Sequence, residues 1–562
     1  MSRGRPDLVV HGATVGVPDE DLRPGRLLSL EVPFAESARL PAGVALDDHL
    51  HQAARASVDA AALDALRTWR AQRAGDLTID GLDLTHVWEV ELLAECFIPL
   101  ARLRAALPGV IAQHDPGRLV GAGLTPELLA LVAAVAAEQG LETIDSGAGG
   151  GSSGPPPRAA LPRAIRLLTA AGIPSRPRGS VLCVPYWNLQ PVLDRLAAPG
   201  SGVQPVASGF LLALGNRRDI IRTAWRGGWL GYPSQRARAR SRRLIGTRLT
   251  ALTPHARDGV EAAIDAVALA LLRRRALDDL ARADQARRAF TANRIRLALV
   301  PFDSPDSVRI MLGAAAHSGA GSLLVQHGFD ANLNDPDKTL AGHIAVWSDS
   351  ERRELAQRTS APVTVTGNPG VTDLGGPPCP RAGGASNRSI VLVEYPSRLS
   401  ARVPARIGGG HTSAALAGLA MARPRTTAII RPHPADTDPR AYLALAAAHP
   451  QLDVHVDAST PIETLLGGAD LCVGALSTAT LQAVAHGVPS IFLDSAGVKR
   501  PWPFGGADGL PRATGPDELA EQVTATLADP EVRGRRAALD ALGVRPDAVE
   551  RVCDLVADLA RR

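Results

Sequence analysis

Between residues 390 and 493 the chain keeps one rhythm, in which short apolar runs at 390–393, 427–430, 454–456, 471–473 and 490–493 alternate with longer segments of helical period. Runs this short, without a polar residue at every second place, are strands buried on both faces. Strands separated by helices are joined by crossovers and therefore run parallel. The fold class this dictates is α/β, a mostly parallel sheet covered by helices on both sides. Helical segments at 516–528 and 531–541 close that unit, and the tail 547–562 is expected to pack back on the preceding domain.

The same rhythm, less regular, comes earlier: strand-like runs at 181–185, 203–206, 296–300 and 322–325 are separated by helical stretches at 188–197, 262–293 and 308–317. A chain of 562 residues is too long for one core. Its residues are 45% hydrophobic but only 3% aromatic, which fits helices packed on Val- and Leu-rich strands. The sharpest break in composition is Ser146-Gly147-Ala148-Gly149-Gly150-Gly151-Ser152-Ser153-Gly154-Pro155-Pro156-Pro157, which can supply no core and reads as a flexible, then stiff, linker. The expected organisation is an N-terminal α/β module at 1–145, a Gly/Ser/Pro-rich linker at 146–163, a first Rossmann-like domain at 164–366, a second at 367–546, and the tail. Within the module, helical stretches at 85–107 and from Pro126 to about 139, the latter capped by Thr125, flank a strand entering a turn at 119–123.

Several function classes drop out. A formal net charge of +4 spread over this length does not call for nucleic acid. The five cysteines, Cys96, Cys183, Cys379, Cys472 and Cys553, form no Cys-x-x-Cys pair, which speaks against a zinc site or a disulfide framework and for reduced thiols. The start, Met1-Ser2-Arg3-Gly4-Arg5 followed by Pro6-Asp7, is too interrupted for a signal peptide, and no run of about eighteen apolar residues occurs. A cytoplasmic protein is expected, with any membrane contact peripheral.

Three segments that follow strands carry the strongest chemical signal: Arg431-Pro432-His433-Pro434, Ser459-Thr460-Pro461, and Gly474-Ala475-Leu476-Ser477-Thr478-Ala479-Thr480. Ligands of an open parallel sheet bind outside the carboxyl ends of its strands, and a hydroxyl-rich turn opening a helix offers donors to a phosphate. Arg431 and His433 would face a diphosphate and stabilise charge on a departing nucleotide. Taken alone, Ser477-Thr478 reads equally as a plain helix N-cap. A second signal is Gln326-His327-Gly328-Phe329-Asp330 at the end of another strand, where an imidazole suits general-base work or, equally, only a hydrogen bond to the neighbouring loop. Asp330 and Asp303 are further candidates to orient the imidazole or act as base, with Asp306 as a helix cap. Glu394, in Glu394-Tyr395-Pro396-Ser397, is placed to contact base or ribose, and Gly367-Asn368-Pro369 reads as a hinge turn.

Over about 296–494 these motifs resemble GT-B glycosyltransferases and related transferases of surface polysaccharide assembly, including bacterial sialyl- and polysialyltransferases and CDP-glycerol glycerophosphotransferases. The resemblance implies that His433-Pro434 and Ser477-Thr478 bind the donor's phosphate and that His327 is the base or binds the acceptor. It also implies two Rossmann-like domains of GT-B type with the N-terminal module added. Where many GT-B enzymes carry a Glu that holds the ribose hydroxyls, this chain has Gln482, which can still hydrogen-bond a diol but without charge.

The expected activity is transfer of a sugar from a nucleotide-activated donor to a hydroxyl of a growing surface polysaccharide or lipid-linked glycan. No metal or other cofactor is expected: Asp335/Asp337 and Asp436/Asp438 sit in Pro-flanked turns, and Asp47-Asp48-His49-Leu50-His51 reads as a polar loop. Within 217–243 the arginines Arg217, Arg218, Arg222, Arg226, Arg236, Arg238, Arg240, Arg242 and Arg243 are interleaved with Trp225, Trp229 and Tyr232. That mix suits peripheral contact with the inner face of a plasma membrane, or an ordinary solvated helix face; with no RNA-binding motif beside it, no nucleic acid is expected. Glu89, Glu91 and Glu95 read as a solvated stripe. Open alternatives are a sugar-nucleotide 2-epimerase, a CDP-glycerol-type phosphotransferase, and a non-catalytic glycan- or partner-binding protein on the same scaffold.

Overall fold

A computed structural model describes residues 7–11, 26–29, 43–45, 52–73, 75–79, 81–122, 126–145, 179–208, 217–230, 233, 235–249, 251–252, 259–292, 295–303, 306–328, 339–371, 388–392, 411–432, 440–475, 477–494, 509–528 and 532–562. It contains three parallel sheets built on one strand order.

The first sheet holds β1 (Asp7–His11), β2 (Arg26–Ser29), β3 (Gly43–Ala45), β6 (Arg118–Ala122) and β7 (Thr143–Asp145), in the order β3-β2-β1-β6-β7. Between β3 and β6 come helix α1 (Gln52–Arg73), the small hairpin β4 (Thr78–Ile79) and β5 (Leu82–Asp83), and helix α2 (Ile98–His114); α3 (Pro126–Glu138) precedes β7. The expected helix at 85–107 is broken: short turns at Leu84–Val87 and Glu89–Leu92 lead through a π-helical turn into α2.

The second sheet orders β8 (Val181–Cys183), β9 (Pro205–Ser208), β10 (Trp229–Leu230), β11 (Leu297–Val300), β12 (Gly321–Val325), β13 (His343–Val346) and β14 (Val363–Val365) as β10-β9-β8-β11-β12-β13-β14. Its central strands β8, β9 and β11 are buried on both faces, as their apolar runs demand. Val181 and Cys183 point into one core and Leu182 into another, the period-two alternation of a pleated strand. Helices α4 (Gln190–Leu196), α5 (Arg217–Gly227), α6 (Gln235–Leu244), α7 (Gly259–Ala292) and α8 (Asp306–His317) cross over between its strands.

The third sheet runs β17-β16-β15-β18-β19-β20, with β15 (Arg388–Leu392), β16 (Thr427–Arg431), β17 (Asp453–Val456), β18 (Leu471–Gly474), β19 (Ser490–Leu493) and β20 (Arg512–Ala513). Its helices include α9 (His411–Ala422), α10 (Ile462–Gly467), α11 (Thr478–Ala485), α12 (Pro516–Ala528) and α13 (Arg535–Ala541). In both larger sheets the first strand lies in the middle and the order reverses beside it, which is the Rossmann arrangement; the reversal opens a crevice at the carboxyl ends of the strands. Two Rossmann-like domains preceded by a further α/β sheet is the architecture expected of the chain.

The expected return of the tail is also present. Helix α14 (Ala548–Arg561) buries Val552, Val556 and Ala560 against Val181, Leu299 and Val325 of the second sheet and Leu193 of α4. The first core, in contrast, does not stop at the linker: Leu66, Trp88, Leu107 and Val132 share it with Val267, Leu272 and Leu280 of α7 and with Ile310 of α8. The linker at 146–163 lies outside the described residues.

Candidate active site

His327 stands two residues beyond β12, at the carboxyl edge of the second sheet. Its Nδ1 lies 2.9 Å from the Pro301 carbonyl oxygen. A carbonyl only accepts, so Nδ1 carries the proton, and in the neutral ring the lone pair is on Nε2. Two aromatic rings hold the imidazole edge-on, Phe302 at 5.0 Å and Tyr186 at 5.6 Å between centroids. Burial pushes the Tyr186 phenol above its ordinary value. The turn is fixed from beneath by Gln326, which is fully buried. Its side-chain oxygen accepts from Trp347 N at 2.9 Å, and its carbonyl accepts from Trp347 Nε1 at 2.9 Å and Asn188 Nδ2 at 2.8 Å.

Asp330 lies outside the described residues. Asp303 is corrected as a candidate base: it is fully buried, accepts from the Leu340 amide at 2.9 Å and the Thr339 hydroxyl, and faces Arg309 at 3.8 Å. A carboxylate so enclosed serves the loop rather than a substrate. The Glu89 stripe reading is corrected too. Glu89 is fully buried, paired with Arg70 and 3.5 Å from Arg309 Nη2, because the helical turn bearing it is covered by the second sheet's domain.

On the third sheet, Arg431 ends β16 and is half-buried, with Nη1 donating to the Asp457 carbonyl at 3.0 Å. Asp457 closes a turn by accepting from the Ser459 and Thr460 amides at 3.0 and 2.9 Å; these bonds, the Thr460 amide foremost, hold its carboxyl down at about 2. Ser477 is the N-cap of α11, its hydroxyl 3.2 Å from the Thr480 amide. The cap and the phosphate readings do not compete, since a capping serine leaves the positive end of the helix at the edge of the sheet. Thr480 in turn donates to Ala475 O at 2.7 Å, and a Cβ on Gly474 would meet Thr480 Oγ1 at 2.2 Å, so only glycine lets this helix start so close to its strand. Thr478 and Gln482 are half-buried and four residues apart, so they share a helix face. β18 and β15 flank the crevice, which puts Ser477 beside the point where the strand order reverses. His433 and Glu394 lie outside the described residues, as do both Asp-x-Asp pairs.

The two edges are joined by a tryptophan. Trp347, directly after β13, packs with Leu481 and Val484 of α11 while hydrogen-bonding Gln326 beside His327. The segment between the two Rossmann-like domains is held as well: Asn368 N donates to Gly543 O at 2.8 Å, and Gly367 takes φ +86°, a conformation that favours glycine.

The arginine-rich stretch is partly neutralised. Arg222 and Arg226 pair with Asp194, Arg238 with Asp278 and Arg240 with Asp284, whereas Arg236, Arg242, Arg243 and Trp225 are exposed. The side chains of Arg217, Arg218 and Trp229, and all of Tyr232, lie outside the described residues. Among the described residues no helix is long and apolar enough to cross a membrane, and no group of three or more His, Cys, Asp or Glu side chains is placed to hold a metal ion.

No protein-family model matches the chain, and no curated protein matches it. Among solved structures it is similar to a UDP-GlcNAc 2-epimerase from Neisseria meningitidis bound to UDP-GlcNAc, with a TM-score of 0.40 and 12% identity over 67% of this chain and 99% of that one. It is also similar to MurG of Acinetobacter baumannii (TM-score 0.37, 14% identity, 67% and 98% of the two chains). A third is the wall teichoic acid polymerase TagF (TM-score 0.37, 8% identity, 72% and 95%). These are likenesses of architecture, and the fold described above rests on the strand order of this chain itself.

Proposed function

We propose that this chain is a glycosyltransferase that moves a sugar from a nucleotide-activated donor to a hydroxyl of a glycan or lipid-linked acceptor, with the nucleotide on the third sheet and the acceptor on the second. The observation that carries the reading is the His327 bond to Pro301, which fixes the tautomer a general base needs. Nε2 would take the proton as the acceptor oxygen forms its bond to the sugar's anomeric carbon. The bond to the nucleotide's phosphate oxygen breaks at the same centre, and the electrons leave with the phosphate. Arg431, His433, Ser477, Thr478 and the positive end of α11 would stabilise that charge without a metal ion, and Gln482 and Glu394 would hold the nucleoside. Asp330 is the second candidate for base. Exposed Arg236, Arg242, Arg243 and Trp225 support peripheral contact with the anionic inner face of a plasma membrane, where a lipid-linked acceptor is found.

The test is a thermal-shift series with CMP, CDP, UDP, GDP and their sugar conjugates, since a ligand of the native state raises its stability with concentration. One nucleotide class is expected to raise the melting temperature, and Arg431→Ala or Ser477→Ala to abolish the rise. No shift with any nucleotide would overturn the reading in favour of a non-catalytic binding protein. Turnover of donor without acceptor would make the chain an epimerase, and a product that keeps the donor's phosphate would make it a phosphotransferase.

A further inference from the structure

The Nδ1 proton of His327 is held by the backbone carbonyl of Pro301, in the loop just past the end of β11. What holds the loop comes from two directions. From within the second sheet's domain, Asp303 ties it to the entry of β13 through the Leu340 amide at 2.9 Å and the Thr339 hydroxyl. From the N-terminal side, Arg309 reaches across: Nη1 donates to the Asp303 carbonyl at 3.2 Å, and Nε donates to the His86 carbonyl at 2.8 Å. Glu89 lies 3.5 Å from Nη2, and Arg309, Glu89 and Asp303 are all fully buried. His86 and Glu89 precede the linker, whereas Arg309 and Asp303 follow it.

A buried guanidinium keeps its charge and spreads its donors in a rigid fork, so it can bind two backbone carbonyls at once and fix the distance between them. Here one of those carbonyls belongs to the N-terminal module and the other lies two residues from the carbonyl that anchors His327. We propose that the N-terminal module is part of the catalytic machinery and that Arg309, clamped by Glu89 and the His86 carbonyl, is a positioning residue that fixes the His327 tautomer through the 301–303 loop. This rests on His327 being the base, but the geometry it claims can be read without turnover.

The experiment uses the full chain labelled with ¹⁵N at histidine, with the His327 signals assigned through His327→Gln, and reads the two ring nitrogens in the neutral form. The wild type is expected to hold the Nδ1–H tautomer. Arg309→Lys, which cannot span both carbonyls, is expected to lose that dominance, and kcat should fall about tenfold, a part of the roughly 10²–10⁴-fold that a well-placed general base contributes, with the donor KM unchanged. Asp265→Asn weakens the other buried pair between module and domain, Arg73 with Asp265, and is expected to lower the melting temperature while leaving the tautomer as it was. If Arg309→Lys does not fold, Thr339→Val loosens Asp303 from the opposite side and is expected to shift the tautomer in the same direction. A folded Arg309→Lys or Thr339→Val protein with wild-type tautomer populations overturns the proposal. A shifted tautomer in a wild-type background that transfers no sugar leaves the positioning role standing and removes only the transferase reading.

Discussion

The second sheet's domain meets a neighbour on either side, and the two joints are built from opposite materials. Toward the N-terminal module the contact is apolar but studded with buried charge: Arg73 pairs with Asp265, Trp69 Nε1 donates to the same carboxylate at 2.7 Å, and Arg309 faces Glu89. Toward the third sheet it is a returning helix and a single tryptophan: α14 lays Val552, Val556 and Ala560 on the second sheet, Trp347 enters the third sheet's core, and Asn368 bonds to Gly543 through the backbone. Shearing the first joint pulls paired charges apart while they are still shielded from water, a steep cost over a short distance. Sliding along the second exchanges one apolar contact for another, which resists far less. The comparison makes the joint with the module the stiffer of the two, and the expectation it sets is that any movement relative to the unit carrying His327 falls at the joint nearest the proposed nucleotide.

The strongest way to break this contrast is Asp265→Ala. It takes the closer carboxylate from the buried Arg73 guanidinium, which also faces Asp76 at 3.5 Å, and is expected to cost about 3 kcal/mol in urea unfolding followed by tryptophan fluorescence. A loss under 1 kcal/mol would make the first joint no more rigid than the second. Next in size, Val556→Ala should cost about 2 kcal/mol, the transfer of two methylene equivalents plus a residual cavity. Hydrogen exchange should show the protection lost from β8, β11 and β12 rather than from the third sheet, although α14 follows the third sheet in the chain. The smallest effect sharpens the difference between buried and exposed charge. Asp457 has its carboxyl held at about 2, below the ordinary aspartate value of about 3.9. Its contribution is therefore present in full above pH 4 and is lost as the pH falls from about 4 through about 2. Asp457→Asn should flatten stability over that window alone, and an unchanged acid profile would refute the assignment.

How much of this was legible depended on how local the determining forces were. Five of the six strands of the third sheet could be read to within two residues, and β16, β18 and β19 most clearly, because parallel strands buried on both faces announce themselves as apolar runs; the two-residue β20 at the edge was missed, and α12 at 516–528 was read to the residue. β1, β2 and β3 could not, since each is three to five residues long and set among polar and proline-containing sequence. Ser477 was readable as a helix cap from its neighbours, and the structure gives it that role. Trp347 stands at the end of an apolar run, and nothing local distinguishes a tryptophan that bridges two domains from one that fills a core.

Glu89 marks the boundary most clearly. Beside Glu91 it has the look of a solvated helix face, and its burial depends on partners remote in the chain; Arg309 is bonded to a carbonyl 223 residues away, that of His86. The sequence by itself determined the α/β class, the alternation of strand and helix, the placing of His327, Arg431 and Ser477 at the ends of strands, and the return of the last helix. Those properties follow from hydrophobic period and turn chemistry, which act over a few residues. Only the tertiary structure decided that the first sheet shares the strand order of the other two, that the core runs on past the linker, which carboxylates are buried, and which carbonyl fixes the His327 proton. Each of those depends on groups brought together by the crossing of helices and sheets, and a buried charge or a hydrogen bond has no sequence period to betray it.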